Sequence, residues 1–276
     1  MNTSSVEEAI HLGLPLADVA TVIDIHAHGG PWHNFWIPSA SPEHMLDMMA
    51  RLGVTATVFA PHLSIGPDPA AGNDLAIEWS QRYPGRLLGY AVPYPHDPNR
   101  VRQELMRALD GGLVAIKLHP GTHSCPVSAP GYRIAWEVAR ERETFILSHT
   151  WHGSPHCDPG MFAQYAEEFP EVPILLGHSG GVPRGFRTAI AMAQQYDNVY
   201  LDTTGSYVTG AWVRRMVDAV GAERVVYGSD MPFIDPRYGL GKVGLAGLAS
   251  EQLQMILGLN AKRLLSRAGA QLATSE

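Results

Sequence analysis

Asp24-Ile25-His26-Ala27-His28 ends a short apolar run that begins at Thr21, and the fold is decided by how this stretch is read. On an extended chain, residues two apart project to the same side, so the imidazoles of His26 and His28 can converge at one strand end. Taken alone, a His-x-His pair fits two hydrogen-bonded histidines at a strand terminus equally well. The arrangement recurs, however. Lys117-Leu118-His119, His149, His178 and Asp230 each close a short apolar run further along the chain. Ionisable and metal-ligating side chains set repeatedly at the exits of such runs point to a metal centre at the mouth of a barrel.

Working outward, strand-like runs cover residues 21–28, 54–61, 87–92, 113–119, 144–149, 172–178, 199–203 and 224–230. They are mostly apolar on both faces, as strands covered on both sides must be. Helical patterns alternate with them at 43–52, 73–83, 98–110, 131–142, 159–169, 185–196, 211–220 and 250–267. The first of these is entered through Ser41-Pro42, an N-cap followed by a first-turn proline. This alternation predicts an α/β fold, a single (β/α)8 TIM barrel. The rival is a doubly wound open sheet, which wants a glycine-rich phosphate turn after the first strand; His26 and His28 stand there instead. Residues 1–20 read as an N-terminal extension, a short acidic helix with a linker, and residues 21–276 as the catalytic barrel.

A chain of 276 residues with 45% hydrophobic content is long enough for one large core. The net charge of -7 and the lack of long Lys/Arg blocks exclude nucleic acid as the main partner. No basic start followed by an apolar segment predicts a secretory signal, and no run approaches the ~18 apolar residues of a membrane span. Cys125 and Cys157 do not make a disulfide scaffold. A reduced, cytoplasmic protein acting on a small-molecule substrate is expected, with homo-oligomerisation left open.

The motifs resemble those of the amidohydrolase superfamily, specifically its amidohydrolase-2 branch of metal-dependent barrel enzymes. The resemblance spans about Val22 to Leu265 and is carried by Asp-Ile-His-Ala-His at 24–28, Ile-Lys-Leu-His-Pro at 116–120, Ser-His-Thr at 148–150, Gly-His-Ser-Gly-Gly at 177–181 and Tyr-Gly-Ser-Asp-Met-Pro-Phe at 227–233. It implies that His26, His28, His149 and Asp230 hold a divalent ion, usually zinc, with manganese, iron or cobalt as alternatives. Three imidazoles and a carboxylate around an exchangeable water make an open catalytic site, in agreement with that implication. Asp230 can also carry a proton between the attacking water and the leaving group. His178 either binds a second ion or, as in relatives that use one, acts as acid/base or stabilises negative charge. A single ion is expected here. Lys117 then stays an ammonium, paired with Asp202 or another inward carboxylate; with two ions it would be carboxylated and bridge them.

Loops after barrel strands set specificity. Trp32, within the aromatic segment at 31–36, and His119, His152 and Arg184 are the candidates for binding substrate, Arg184 through its planar fork. His123, His152, His156, Cys125 and Cys157 lie in neighbouring loops and could meet to bind an extra metal or contact substrate, but they match no zinc spacing, so rim packing is the expectation. His11, His44, His62 and His96 belong to no constellation and are read as structural. The expected activity is metal-dependent hydrolysis of an amide, ester or lactone, with Asp230, His178 and Lys117 as the catalytic residues. The alternative, also drawn from the resemblance, is non-oxidative decarboxylation of an aromatic or muconate-like acid. The shortness of the chain and Lys117 favour the hydrolase. A metal-binding sensor or scaffold is disfavoured by the open ligand shell.

Overall fold

Eight parallel strands run in sequence order around the sheet: β1 (Val22–Gly29), β2 (Val54–Pro61), β3 (Leu87–Ala91), β4 (Ala115–Leu118), β5 (Ile146–His149), β6 (Ile174–Gly177), β7 (Val199–Asp202) and β8 (Val225–Val226). The computed structural model describes residues 5–273; residues 1–4 of the expected extension and residues 274–276 lie outside the described residues. Helices alternate with the strands, giving the TIM barrel expected from the sequence.

Period-two alternation sorts the strand side chains into two cores. Val22, Phe59, Ile116, Ile146, Ile174, Leu201 and Val225 face outward and pack with the helices. Ile23, Val58, Tyr90, Leu147, Leu175 and Val226 fill the interior, as the narrow lumen of an eight-stranded barrel requires. Lys117 lies between the outward-facing Ile116 and Leu118, so its buried side chain enters the lumen. The helices present matching apolar stripes: Val101, Leu105, Ala108 and Leu109 are the buried positions of Pro98–Asp110. Ser41 caps Pro42–Leu52 by accepting from the His44 N–H, as its sequence signature predicts.

The sequence pattern overestimates β8, which pairs with β7 only over Val225–Val226 instead of 224–230. The Tyr227 N–H is drawn to the carbonyl of Ile256, and the Ser229 N–H bonds the Asp24 side chain. Closure onto β1 uses separate bonds instead of a regular ladder. Ile25 N–H donates to Tyr227 C=O at 3.0 Å and Asp230 N–H to His26 C=O at 2.8 Å. Asp24 clasps the seam by accepting from the Ser229 N–H at 3.0 Å and its hydroxyl at 2.5 Å. The C-terminal helix pattern is also broken, by a π-helical turn at Met255–Leu259 that supplies the Ile256 carbonyl.

Two helices absent from the sequence pattern, His62–Ile65 and Pro236–Gly244, occupy the connections after β2 and β8. The N-terminal helix Val6–Leu12 packs on Pro236–Gly244. No helix among the described residues is long and apolar enough to cross a membrane.

Candidate active site

The strand exits bring the ionisable side chains to one end of the barrel. His26 donates its Nδ1–H to Asp202 Oδ2 at 2.7 Å, which leaves Nε2 to accept from Lys117 Nζ at 2.6 Å. His28 donates its Nδ1–H to the Ala60 carbonyl at 3.0 Å, and its Nε2 lies 3.4 Å from Asp230 Oδ1. The Nε2 of His26 is 3.8 Å from the same oxygen. His26, His178 and Asp230 offer ligand atoms that all fall within 4.8 Å of one another. His149 joins through its ring, 4.7 Å from that of His178, and His119 stacks on His149 at 4.3 Å.

The backbone is shaped for this crowding. A Cβ on Gly228, just past β8, would lie 2.7 Å from that of His26, and one on Gly177, at the end of β6, would lie 3.1 Å from the His26 ring and 2.7 Å from the Ser148 carbonyl, so both glycines permit the close approach of their segments to His26. His178 and Asp230 themselves have φ of 61° and 65°, a left-handed conformation uncommon for side-chain-bearing residues. Such geometry is held at ~1–3 kcal/mol per residue by the surrounding contacts, and it aims both side chains into the mouth.

Burial governs the charges. It lowers the imidazole pKa of His26 to about 4 and that of His178 to about 3, and holds His28 and His149 below the usual histidine value. Burial opposes ionisation of Asp202 and Asp230, but the surrounding histidines outweigh it, helped at Asp202 by hydrogen bonds from His26 and Thr204, and both carboxyls stay below the usual range. Burial also lowers the Lys117 amine to about 7. Neutral imidazoles, those of His26 and His28 with tautomers fixed through Nδ1, set around an ionised carboxylate, are a donor set that fits a divalent cation.

Asp202 holds this arrangement from behind. One carboxylate oxygen accepts from His26 Nδ1–H and the His178 backbone N–H, the other from the Thr204 N–H and hydroxyl. Asparagine offers one acceptor oxygen, so Asp202→Asn must oppose an N–H to donors on one side. We expect metal affinity to drop ~10–100-fold, read by competition with a chelator. Unchanged affinity would contradict the positioning role.

The low folded-state histidine values also fix an acid response. The unfolded chain takes up protons from about pH 6.5 downward, whereas His26 and His123, at about 4, and His62 and His178, at about 3, refuse them when folded. Stability is therefore full above the unfolded value and is lost as pH falls, each such histidine adding up to ~1.4 kcal/mol per pH unit. Thermal melts of chelator-treated protein should show a steady decline in Tm on acidification. A flat profile through that window would contradict the burial of neutral imidazoles.

The family model described as amidohydrolase matches residues 23–267. This chain belongs to the amidohydrolase family. It is 24% identical over 248 residues to the γ-resorcylate decarboxylase of Rhizobium sp. (strain MTP-10005), covering 72% of this chain and 76% of the relative. It is likewise 24% identical over 246 residues to the γ-resorcylate decarboxylase of Rhodococcus jostii (strain RHA1), covering 69% and 74%. Among solved structures, the dihydroxybenzoic acid decarboxylase of Polaromonas sp. JS666 with bound manganese and 2-nitroresorcinol superposes with a TM-score of 0.71 at 15% identity, covering 90% of this chain and 97% of that one. These names overturn the expectation of a hydrolase. Lys117, on which the hydrolase expectation partly rests, is turned onto His26.

The candidates named from sequence divide. His26, His28, His149, His178, Lys117 and Asp230 converge, with His178 nearer the tightest cluster than the sequence placed it. His119 and Trp32 lie in or beside the site, Trp32 against His62 and Phe233. His152 instead lies 3.2 Å from Asp158 within its own loop, and Arg184 is exposed at the start of Pro183–Gln195 with no ion pair among the described residues. Asp202 bonds His26, Thr204 and the His178 backbone, so the direct pairing with Lys117 suggested by sequence is not formed. His123 bonds Tyr132, and neither it nor the two buried cysteines form a metal-binding group among the described residues. Sequence reasoning missed Asp202 as the partner of His26, although it ends β7 as Asp230 follows β8, and missed His62 and Phe233.

Proposed function

We propose that this protein is a metal-dependent, non-oxidative decarboxylase of a hydroxylated aromatic carboxylic acid. What carries the reading is the naming of the curated relatives as γ-resorcylate decarboxylases. The site supports it. Trp32, Phe35 and Phe233 supply an aromatic wall beside the polar cluster, suited to a flat ring with one charged edge.

His26, His28, His149 and Asp230 would hold the ion, with His178 beside them. When bound, a divalent ion supplies a Lewis acid that draws electron density from substrate oxygens. The fold neighbour with bound manganese makes that metal the first to test, beside the zinc that the sequence resemblance implies.

The chain's own groups handle the proton. Asp230, ionised at rest, takes the proton of a ring hydroxyl and delivers it to the ring carbon that bears the carboxylate. The bond from that carbon to the carboxylate then breaks, its electron pair restores the aromatic ring, and carbon dioxide leaves. Solvent returns a proton to the hydroxyl oxygen, so one proton is consumed for each carbon dioxide released. His178, neutral and buried, and the ammonium form of Lys117 stabilise the negative charge that gathers on the ring oxygens. The test is carbon dioxide release by metal-loaded protein from a panel of mono- and dihydroxybenzoates. Release from none of them would contradict the reading.

Lys117 is proposed to remain an uncarboxylated amine beside a single ion. Lys117→Met should therefore leave the stoichiometry near one metal per chain by elemental analysis. A fall from two ions toward one would contradict this and assign the lysine a bridging role.

A further inference from the structure

His62, at the exit of β2, takes no part in the chemistry above, yet its ring is built into the mouth. Its Nδ1 lies 2.6 Å from the carbonyl oxygen of Gly30. A carbonyl only accepts, so Nδ1 carries the ring proton and Nε2 is left with a bare lone pair. That nitrogen is buried without a hydrogen-bond partner, in a residue only 1% exposed. Folded proteins keep few such groups, and each calls for an explanation.

The neighbours say what chemistry the lone pair meets. The His62 ring stacks on His28 at 5.3 Å, 17° from parallel, and His28 in turn reaches Asp230. Phe233 lies 4.4 Å from His62 and Trp32 5.3 Å from it, with Trp32 and Phe233 edge to face. The ring that carries this orphaned acceptor therefore sits between an aromatic wall and the metal-binding cluster. Two flat hydrophobic surfaces recognise a ring, and a lone acceptor among them recognises a donor on that ring.

Resting on the decarboxylase reading, we propose that His62 is a specificity-determining residue whose Nε2 accepts the hydrogen bond of a hydroxyl on the substrate ring. The site then selects hydroxylated aromatic acids over unsubstituted ones, because only a hydroxyl satisfies the buried nitrogen.

Binding of unreactive ring analogues to the metal-loaded protein tests this without turnover. 2-Nitroresorcinol and nitrobenzene share the flat ring and differ in the hydroxyls. Wild-type protein should bind 2-nitroresorcinol more tightly than nitrobenzene. His62→Phe, which keeps an aromatic ring and removes the acceptor, should weaken 2-nitroresorcinol about tenfold, the worth of one neutral hydrogen bond. Its nitrobenzene affinity and metal content should stay unchanged, and His62→Gln should recover part of the loss. Equal wild-type affinity for the two compounds would overturn the proposal, and this comparison needs no variant. So would equal weakening of both in His62→Phe, or loss of metal from it, which would make His62 a ligand. Failure of the parent reading looks different: 2-nitroresorcinol still binds in a His62-dependent way, but no hydroxybenzoate releases carbon dioxide.

Discussion

Asp230→Asn should lower kcat by a factor on the order of 10² to 10⁴, the usual worth of a positioned acid/base, while the barrel stays folded. Asparagine tolerates the left-handed backbone conformation that residue 230 adopts, so the turn after β8 is not strained by the change. The backbone N–H that bonds the His26 carbonyl is also retained. What is lost is the ionised oxygen 3.4 Å from His28 Nε2, and with it the only proposed carrier of the proton to carbon. Metal affinity falls as well, so kcat must be read at saturating metal. Turnover close to wild type in the loaded variant would remove Asp230 from the mechanism.

Chelation should abolish decarboxylation, with a loss of more than ~10³-fold, since a Lewis acid is worth several kcal/mol and each ~1.4 kcal/mol is a factor of ten. Three buried neutral imidazoles and an ionised carboxylate cannot match that field by themselves. Adding back manganese or zinc should restore activity in proportion to occupancy. It should also raise Tm, because an ion that binds only the folded chain stabilises it by mass action. Undiminished turnover in metal-free protein would refute the assigned role of the ligand set.

Much of this site is legible in the chain because strand exits are fixed by local pattern. His26, His28, His149 and Asp230 end or follow apolar runs, and a barrel of consecutive parallel strands must bring such exits to one mouth. Partnerships between exits are less legible. Asp202 carries the same positional signal as Asp230, but nothing in the sequence says that its oxygens face His26 and the His178 backbone and not Lys117. His62 stands alone in sequence, and its place beside Trp32 and Phe233 depends on three separate loops. Arg184 and His152 show the converse: both follow barrel strands, yet each points into local loop or surface structure. The two register shifts of β1 against β2, between Val22 and Ile23 and between Asp24 and Ala27, and the Asp24 clasp on Ser229 are features that no periodicity encodes. The hydrolase expectation fails for a chemical reason. One metal-binding shell can serve attack by water or loss of carbon dioxide, and the difference lies in how substrate is held and where one proton goes.

Incubating metal-loaded protein in heavy water with γ-resorcylate labelled at its carboxyl carbon follows the bond that decarboxylation must break. Labelled carbon dioxide and resorcinol are expected in equal amounts, with one deuterium at the ring carbon that bore the carboxylate. Retention of the label in unreacted acid, while the same protein turns over an ester, amide or lactone, would contradict the decarboxylase reading.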